Sequence, residues 1–147
     1  NLNAPAVCSQ AGLAEKLRAE PIIAEQLTHL KDCNKAIYSL SPCTEDTHVV
    51  QFNIATKTDI ADYVAKGAVG IIAGRFIDAQ GAPVLGDLDK RMIGADQVAL
   101  RNMSGLLVVS GLHKHAATRA ALRGGYVTHA VLDMALAEAL VHDAAGN

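Results

Sequence analysis

Residues Leu106 to Asp133, LLVVSGLHKHAATRAALRGGYVTHAVLD, constrain the fold more than any other stretch, because they read as strand, glycine turn, helix and second strand in immediate succession. Leu106 to Val109 is short, apolar and half β-branched, the pattern of a strand buried on both faces of a parallel sheet. Ser110-Gly111 ends it. His115 to Leu122 then carries Ala and Leu at helical spacing, and Gly124-Gly125 stands where left-handed caps close helices. Val127 to Leu132 begins the next strand. In open α/β sheets ligands collect outside the carboxyl ends of the strands, where helix N-termini present unpaired N–H groups and the positive end of the dipole. Lys114 falls at that place. With the Gly111 backbone and the amides of the following turn, its ammonium would converge on one spot suited to a phosphate or carboxylate. The spacing lacks the full phosphate-loop signature, so a solvated surface charge is the alternative reading of Lys114.

The remainder of the chain alternates in the same way. Between Ser9 and Asp32 the apolar spacing predicts two short helices separated near Pro21, lying on one face of a sheet. Lys35 to Leu40 reads as a strand broken by Ser41-Pro42, and Cys43 to Val50 as a loop of the kind that carries function. Thr58 to Lys66 reads as a helix with Thr58 or Asp59 as N-cap and Gly67 as its stop. Val69 to Ile77 is strand-like, and Asp78-Ala-Gln-Gly81 turns it toward Pro83 to Leu85 as an antiparallel partner. A helix over Ala95 to Asn102 precedes the strand at Leu106, and Met134 to His142 is the closing helix, with Asp133 as its N-cap. The expectation is an α/β fold with a largely parallel sheet, helices on both faces and one antiparallel hairpin.

Composition narrows the function classes. Half of the 147 residues are hydrophobic, enough for one core, but only 3% are aromatic and none is Trp, so Ala, Leu, Ile and Val must build closely packed layers. Thirteen basic against 15 acidic residues, with no basic stripe, argue that this stretch does not itself grip nucleic acid. No apolar run approaches the roughly 20 residues of a membrane helix and no signal segment opens the chain, which points to a cytoplasmic protein. Cys8, Cys33 and Cys43 form neither a disulfide framework nor metal-ligand spacing, so reduced thiols, no metal and no cofactor are expected. The opening, NLNAPAV, lacks an initiator Met and reads as the interior of a longer chain.

Other charged residues offer weaker signals. His113 and His115 flank Lys114, and either imidazole could donate to an anion or act as acid or base near neutral pH. Asp46, His48 and Cys43 are near in sequence without a recognised triad. Arg75 and Arg91 lie among apolar neighbours, where an ion pair holding the Asp87 to Gly94 segment against the sheet explains them as well as a ligand does.

Taken together, AVGIIAGRFIDAQGAPV, LDKRMIG, LLVVSGLHKHAATRAALRGGYV and VLDMALAEAL resemble, in order and spacing, the sugar-binding domain of SorC- and DeoR-type bacterial transcriptional regulators. The likeness extends over nearly the whole chain, including LNAPAV and LAEKLRAEP at its start. It implies a Rossmann-like three-layer fold related to glucosamine-6-phosphate deaminase, ribose-5-phosphate isomerase and CoA-transferase folds. It also implies an effector domain that binds a phosphorylated sugar without turnover, assembles as a homodimer or homotetramer, and controls DNA through an N-terminal helix-turn-helix outside this chain. Residues 1–147 would be the C-terminal part of that domain.

The effector-contacting glycine and lysine of the family fall on Gly111 and Lys114, beside His113, and the family's LDDR run falls on Asp89 and Arg91. Two departures stand out: Ile71 occupies a position commonly acidic in the family, and Lys90 replaces the second Asp of LDDR. Two other readings compete. One is a sugar-phosphate isomerase or amino-sugar-phosphate deaminase with His113 or Asp46 as base. The other is a structural dimerisation module that has lost its ligand, which Ile71 would suit.

Overall fold

The computed structural model of the chain describes residues 2–145. Two helices open it, α1 (Ala11–Ala19) and α2 (Pro21–Lys31), followed by strands β1 (Lys35–Tyr38) and β2 (Leu40–Pro42). Helices α3 (His48–Gln51) and α4 (Lys57–Ala65) lead to β3 (Ala68–Ile72) and β4 (Arg75–Asp78), then to α5 (Asp87–Arg91) and α6 (Gln97–Arg101). Strand β5 (Ser104–Val109), helix α7 (His115–Arg123), strand β6 (His129–Leu132) and helix α8 (Met134–Ala145) complete the order, with a 3₁₀ turn at Leu112–Lys114 between β5 and α7.

Two three-stranded sheets result. One is parallel, in the order β1-β5-β6, with Ile37 opposite Leu106 and Val108 opposite Val131. The other is antiparallel, in the order β2-β3-β4, with Ser41 opposite Ile71 and Ile71 opposite Phe76. The α/β class with parallel pairing and an antiparallel element is therefore as expected. The single strand expected over Lys35 to Leu40 is instead two strands in different sheets, divided at Ser39. Which edge a strand joins depends on partners some 30 to 70 residues away in sequence, so local alternation does not reveal the switch.

The antiparallel element also differs from the expectation. Its turn is Ala73-Gly74, both at positive φ (48° and 77°), as a tight hairpin between right-twisted strands requires. The turn expected over Asp78 to Gly81 does form, with the Asp78 N–H donating to the Ala82 carbonyl at 2.9 Å and the Val84 N–H to the Phe76 carbonyl at 3.0 Å, but the partner it brings back is a single bridge, Pro83 to Ile77, and not a strand. The cap of α4 lies at Thr56, not at Thr58 or Asp59: Thr56 Oγ1 accepts from the Asp59 N–H at 3.0 Å, and Asp59 Oδ2 accepts from the Thr56 N–H at 2.8 Å. This reciprocal pair satisfies two donors that would otherwise be orphaned at the helix start. Pro21 begins α2, as its fixed φ suggests. The first two helices do not lie on a sheet; α1 packs on α2 and α5, burying Cys8, Ala14, Ile23 and Ile93 together.

Helix α7 lies on the antiparallel sheet, and its Ala117, Ala120 and Ala121 share one core with Leu40, Ile72 and Ile77. Leu107 and Val109, from one face of β5, complete that core with Tyr126 and Leu136. The small side chains of α7 allow the close helix–sheet approach that an aromatic-poor composition predicts. The opposite face of the parallel sheet is not covered by the described residues: Ile37, Val108 and Val131 are 76%, 45% and 57% exposed. Burial on both faces, expected for Leu106 to Val109, thus holds for one face only, because the described helices supply no layer on the other.

Candidate functional site

The turn after β5 is built around Gly111, whose φ of 105° and ψ of 125° suit glycine alone. Its N–H donates to Asp133 Oδ2 at 2.5 Å, while Asp133 Oδ1 accepts from the Leu136 N–H at 3.0 Å. Asp133 therefore caps α8, as the sequence predicts, and also ties the end of β6 to the end of β5. These N–H donors, Gly111 first and then Leu136, hold its carboxyl below the ordinary value. The expected free amide at Gly111 is consequently already engaged, and what Gly111 supplies is the shape of the turn.

Lys114 occupies the N-cap position of α7, donating its own N–H to the Gly111 carbonyl at 3.0 Å and receiving the Thr118 hydroxyl on its carbonyl at 2.9 Å. Both bonds fix the lysine backbone from either side. Among the described residues its ammonium enters no ion pair. It stands at the boundary of two hollows at the carboxyl ends of the parallel strands. The larger, about 510 Å³, is lined by Ser41, Pro42, Thr44, Asp46, Thr47, His48 and Gln51 on one side and by His113 and Lys114 on the other. The smaller, about 340 Å³, is lined by Ser39, Val108, Val109, Ser110, Val131, Leu132 and Asp133 with Lys114.

The wall facing Lys114 comes from the loop after β2 and from α3. The polar Thr44 side chain beside the Asp46 carboxylate is the main cause of its lowered proton affinity; its own backbone and, last, the nearby charge of His113 act in the same direction. Burial pushes the Cys43 thiol up to about 11, so it stays protonated near neutrality and is no nucleophile. Ile71 is buried and lines a small hollow of about 190 Å³ that shares Ser41 and His48 with the main cleft. Among the described residues no group of His, Cys, Asp and Glu could hold a metal ion, and no helix is long and apolar enough to cross a membrane.

The structure brings Gly111, His113 and Lys114 together and leaves Asp89 and Arg91 elsewhere. Asp89 accepts from Arg75 Nη1 at 3.2 Å, from the Gly86 N–H at 2.8 Å and from the Tyr63 hydroxyl. Arg91 bridges Asp87 (3.1 Å) and Asp59 (3.3 Å). Neither residue lines the Lys114 cleft. The ion pair to Arg75 does what the alternative reading anticipated, holding the Asp87 to Gly94 segment against the β3–β4 hairpin. Thr44, Thr47 and Gln51 escaped the sequence reading, although the Cys43 to Val50 loop was marked as a functional place. Their relevance depends on β1 lying beside β5, which no local pattern discloses.

Residues 1–142 match the family described as "Putative sugar-binding domain". The uncharacterized transcriptional regulator YjhU of Escherichia coli strain K12 is 37% identical over 142 residues, 96% of this chain and 43% of that protein. A DeoR family transcriptional regulator from Listeria monocytogenes superposes with a TM-score of 0.89 at 26% identity, covering 95% of this chain and 57% of that one. The full-length sorbitol operon regulator SorC from Klebsiella pneumoniae shares the fold with a TM-score of 0.84 at 20% identity, over 93% of this chain and 45% of that one. This chain spans less than half the length of the curated relatives it matches. It belongs to the sugar-binding domain family, and the relatives it matches are transcriptional regulators, one of them of the DeoR family.

Proposed function

We propose that this chain is part of the effector-sensing domain of a regulator of carbohydrate metabolism, and that a phosphorylated sugar or related metabolite binds in the Lys114 cleft. The observation that carries this reading is the ammonium of Lys114, which forms no ion pair among the described residues, in a polar cleft at the carboxyl ends of β5 and β6. His113 stands in the same wall and supplies a second donor, and Gly111 sets the turn that presents both. Asp89 serves the site at a distance, through Arg75 of the hairpin that carries Ile71, and Arg91 ties α5 to Asp59 of α4 beside it. The role itself places the protein in the cytoplasm.

The apolar face of Ile37, Val108 and Val131 supports a larger domain, because a parallel sheet is stable only with both faces covered. Further sheet-covering structure from the same protein would supply the layer, and a helix-turn-helix elsewhere in it would read DNA. The exposed Val141 and Met134 on α8 leave surface for assembly as a homodimer or homotetramer. An effector shifts such an assembly only by the difference in its affinity for the two conformations.

The competing enzymatic reading keeps two candidate bases in the cleft, His113 and Asp46. Against it stands the regulatory character of the relatives. The test is to incubate the intact protein at substrate-level concentration with aldose, ketose and amino-sugar phosphates and follow them by proton and phosphorus NMR. Unchanged spectra over hours, with ligand broadening for at least one compound, are expected. Appearance of an isomer or of free ammonia would replace sensing by catalysis.

A further inference from the structure

We infer that Asp46 is the residue that reads the hydroxyl groups of the effector, so that the cleft selects a polyhydroxylated anion and disfavours a bare one. This rests on the Lys114 reading and adds to it a second, opposing wall. Lys114 and Asp46 line one cleft from different segments of the chain, one a cation at the start of α7, the other a carboxylate in the loop before α3. A carboxylate in the same cleft as an anion-binding ammonium is a cost to any simple anion held there, since like charges repel. It becomes an asset only for a ligand that carries hydrogen-bond donors next to its anionic end. An ionised carboxylate only accepts, and sugar hydroxyls are donors.

The loop holds Asp46 in place for that task. Gln51, from α3, donates its side-chain amide to the Asp46 carbonyl at 2.8 Å, and the Thr44 side chain beside the carboxylate favours its ionised form. The lowered proton affinity that results keeps Asp46 an acceptor throughout the neutral range. A second feature of the same wall points to a hydroxyl-bearing ligand. Thr47, only 5% exposed, is one of the residues that line the cleft, and its buried hydroxyl has no hydrogen-bond partner among the described residues. Buried hydroxyls are almost always paired, so an unpaired one in a cleft wall is a candidate for pairing when the loop adjusts around a ligand. The volume of about 510 Å³ is that of a small-molecule site.

Two ligand classes share this chemistry, sugar phosphates and sugar acids, and both are anionic at one end and hydroxylated along the rest. The experiment titrates the intact protein calorimetrically with inorganic phosphate and with the phosphate esters and aldonates of four-, five- and six-carbon sugars. Wild type, Asp46→Ala, Asp46→Asn and Lys114→Gln are compared. The expected result is opposite signs. Asp46→Ala weakens the best polyhydroxylated anion about tenfold or more, as loss of a charged hydrogen-bond acceptor does, yet leaves inorganic phosphate unchanged or binds it tighter. Asp46→Asn, which keeps an acceptor oxygen, weakens the sugar anion less.

Which of the two classes binds names the source of the anionic end. Binding abolished by Lys114→Gln but indifferent to both Asp46 variants overturns this inference and leaves the Lys114 site standing. Parallel weakening of phosphate and sugar anion by Asp46→Ala also overturns it, as a merely structural role for the loop would act on both. No binding of any compound, or binding indifferent to Lys114, removes the Lys114 reading and this one with it.

Discussion

Replacing Asp89 by alanine is expected to cost about 3–5 kcal/mol of folding free energy, the range found when one partner of a buried ion pair is removed. The reason is what it leaves behind. Arg75 is 7% exposed and Asp89 14%, and the 3.2 Å pair between them lies against Tyr63, whose hydroxyl also bonds Asp89 and whose ring stacks on Phe76 at 3.9 Å. Without the carboxylate, the Arg75 guanidinium keeps, among the described residues, only its 3.3 Å bond to the Ala95 carbonyl, and the Gly86 N–H and Tyr63 hydroxyl lose their acceptor. An unpaired buried charge costs far more than the pair contributes. Asp87→Ala is the control: its pair with Arg91 is 71% exposed on the Asp87 side, and its loss should cost less than about 1 kcal/mol. Urea denaturation of the two variants checks the contrast. Equal midpoints would mean that the Asp89 network does not hold α5 to the hairpin.

Gly81→Ala is expected to cost about 2–5 kcal/mol, by combining left-handed backbone strain with overpacking. Gly81 has a φ of 77°, and a Cβ built there would lie 2.4 Å from the Ala120 carbonyl oxygen and from the Gly124 Cα, both backbone atoms of the end of α7. Neither can move without displacing the other contacts at this point. The Gly81 carbonyl accepts from Arg101 at 2.6 Å and from the Tyr126 hydroxyl at 3.1 Å, and Asp78 Oδ1 anchors the turn from below through the Gln80 and Ala82 N–H groups. Gly67→Ala separates the two causes. Its φ is 94° but its added Cβ meets nothing within 4 Å, so strain alone, about 1–2 kcal/mol, should appear. A Gly81 variant no worse than the Gly67 variant would show that the end of α7 yields.

What could be read from the sequence follows the range of the interactions involved. The strand–turn–helix–strand unit from Leu106 onward was legible, because apolar periodicity, Gly111 and Gly124-Gly125 are all local signals. So were the break at Pro21 and the capping role of Asp133. The hairpin turn at Ala73-Gly74 was hidden, since it lacks the Asn-Gly or Asp-Gly pair that usually announces two positive φ values. The N-cap at Thr56 was missed in favour of residues two and three further on, although the Thr56-to-Asp59 spacing is itself the signature of a reciprocal cap.

The site divides along the same line. Gly111, His113 and Lys114 belong to one turn and are found together from sequence alone. The opposite wall of Thr44, Asp46 and Thr47 becomes adjacent only through the parallel pairing of β1 with β5, across some 70 residues. Asp89 and Arg91 were named through the LDKR run, which local spacing cannot distinguish from a ligand site. Their carboxylate and guanidinium partners, Arg75 and Asp59, come from other elements and turn them inward.

Thermal unfolding of the intact protein against a panel of sugar phosphates, alongside the unphosphorylated sugars and with Lys114→Ala in parallel, tests the central claim most directly. A ligand that binds only the native state at about 100 times its dissociation constant adds about 2.7 kcal/mol, a rise of several degrees in Tm. The account predicts such a rise for at least one phosphosugar, none for the corresponding free sugar, and its loss in Lys114→Ala with the unliganded Tm little changed. A rise that persists in Lys114→Ala, or no rise with any compound, would contradict an effector site at Lys114.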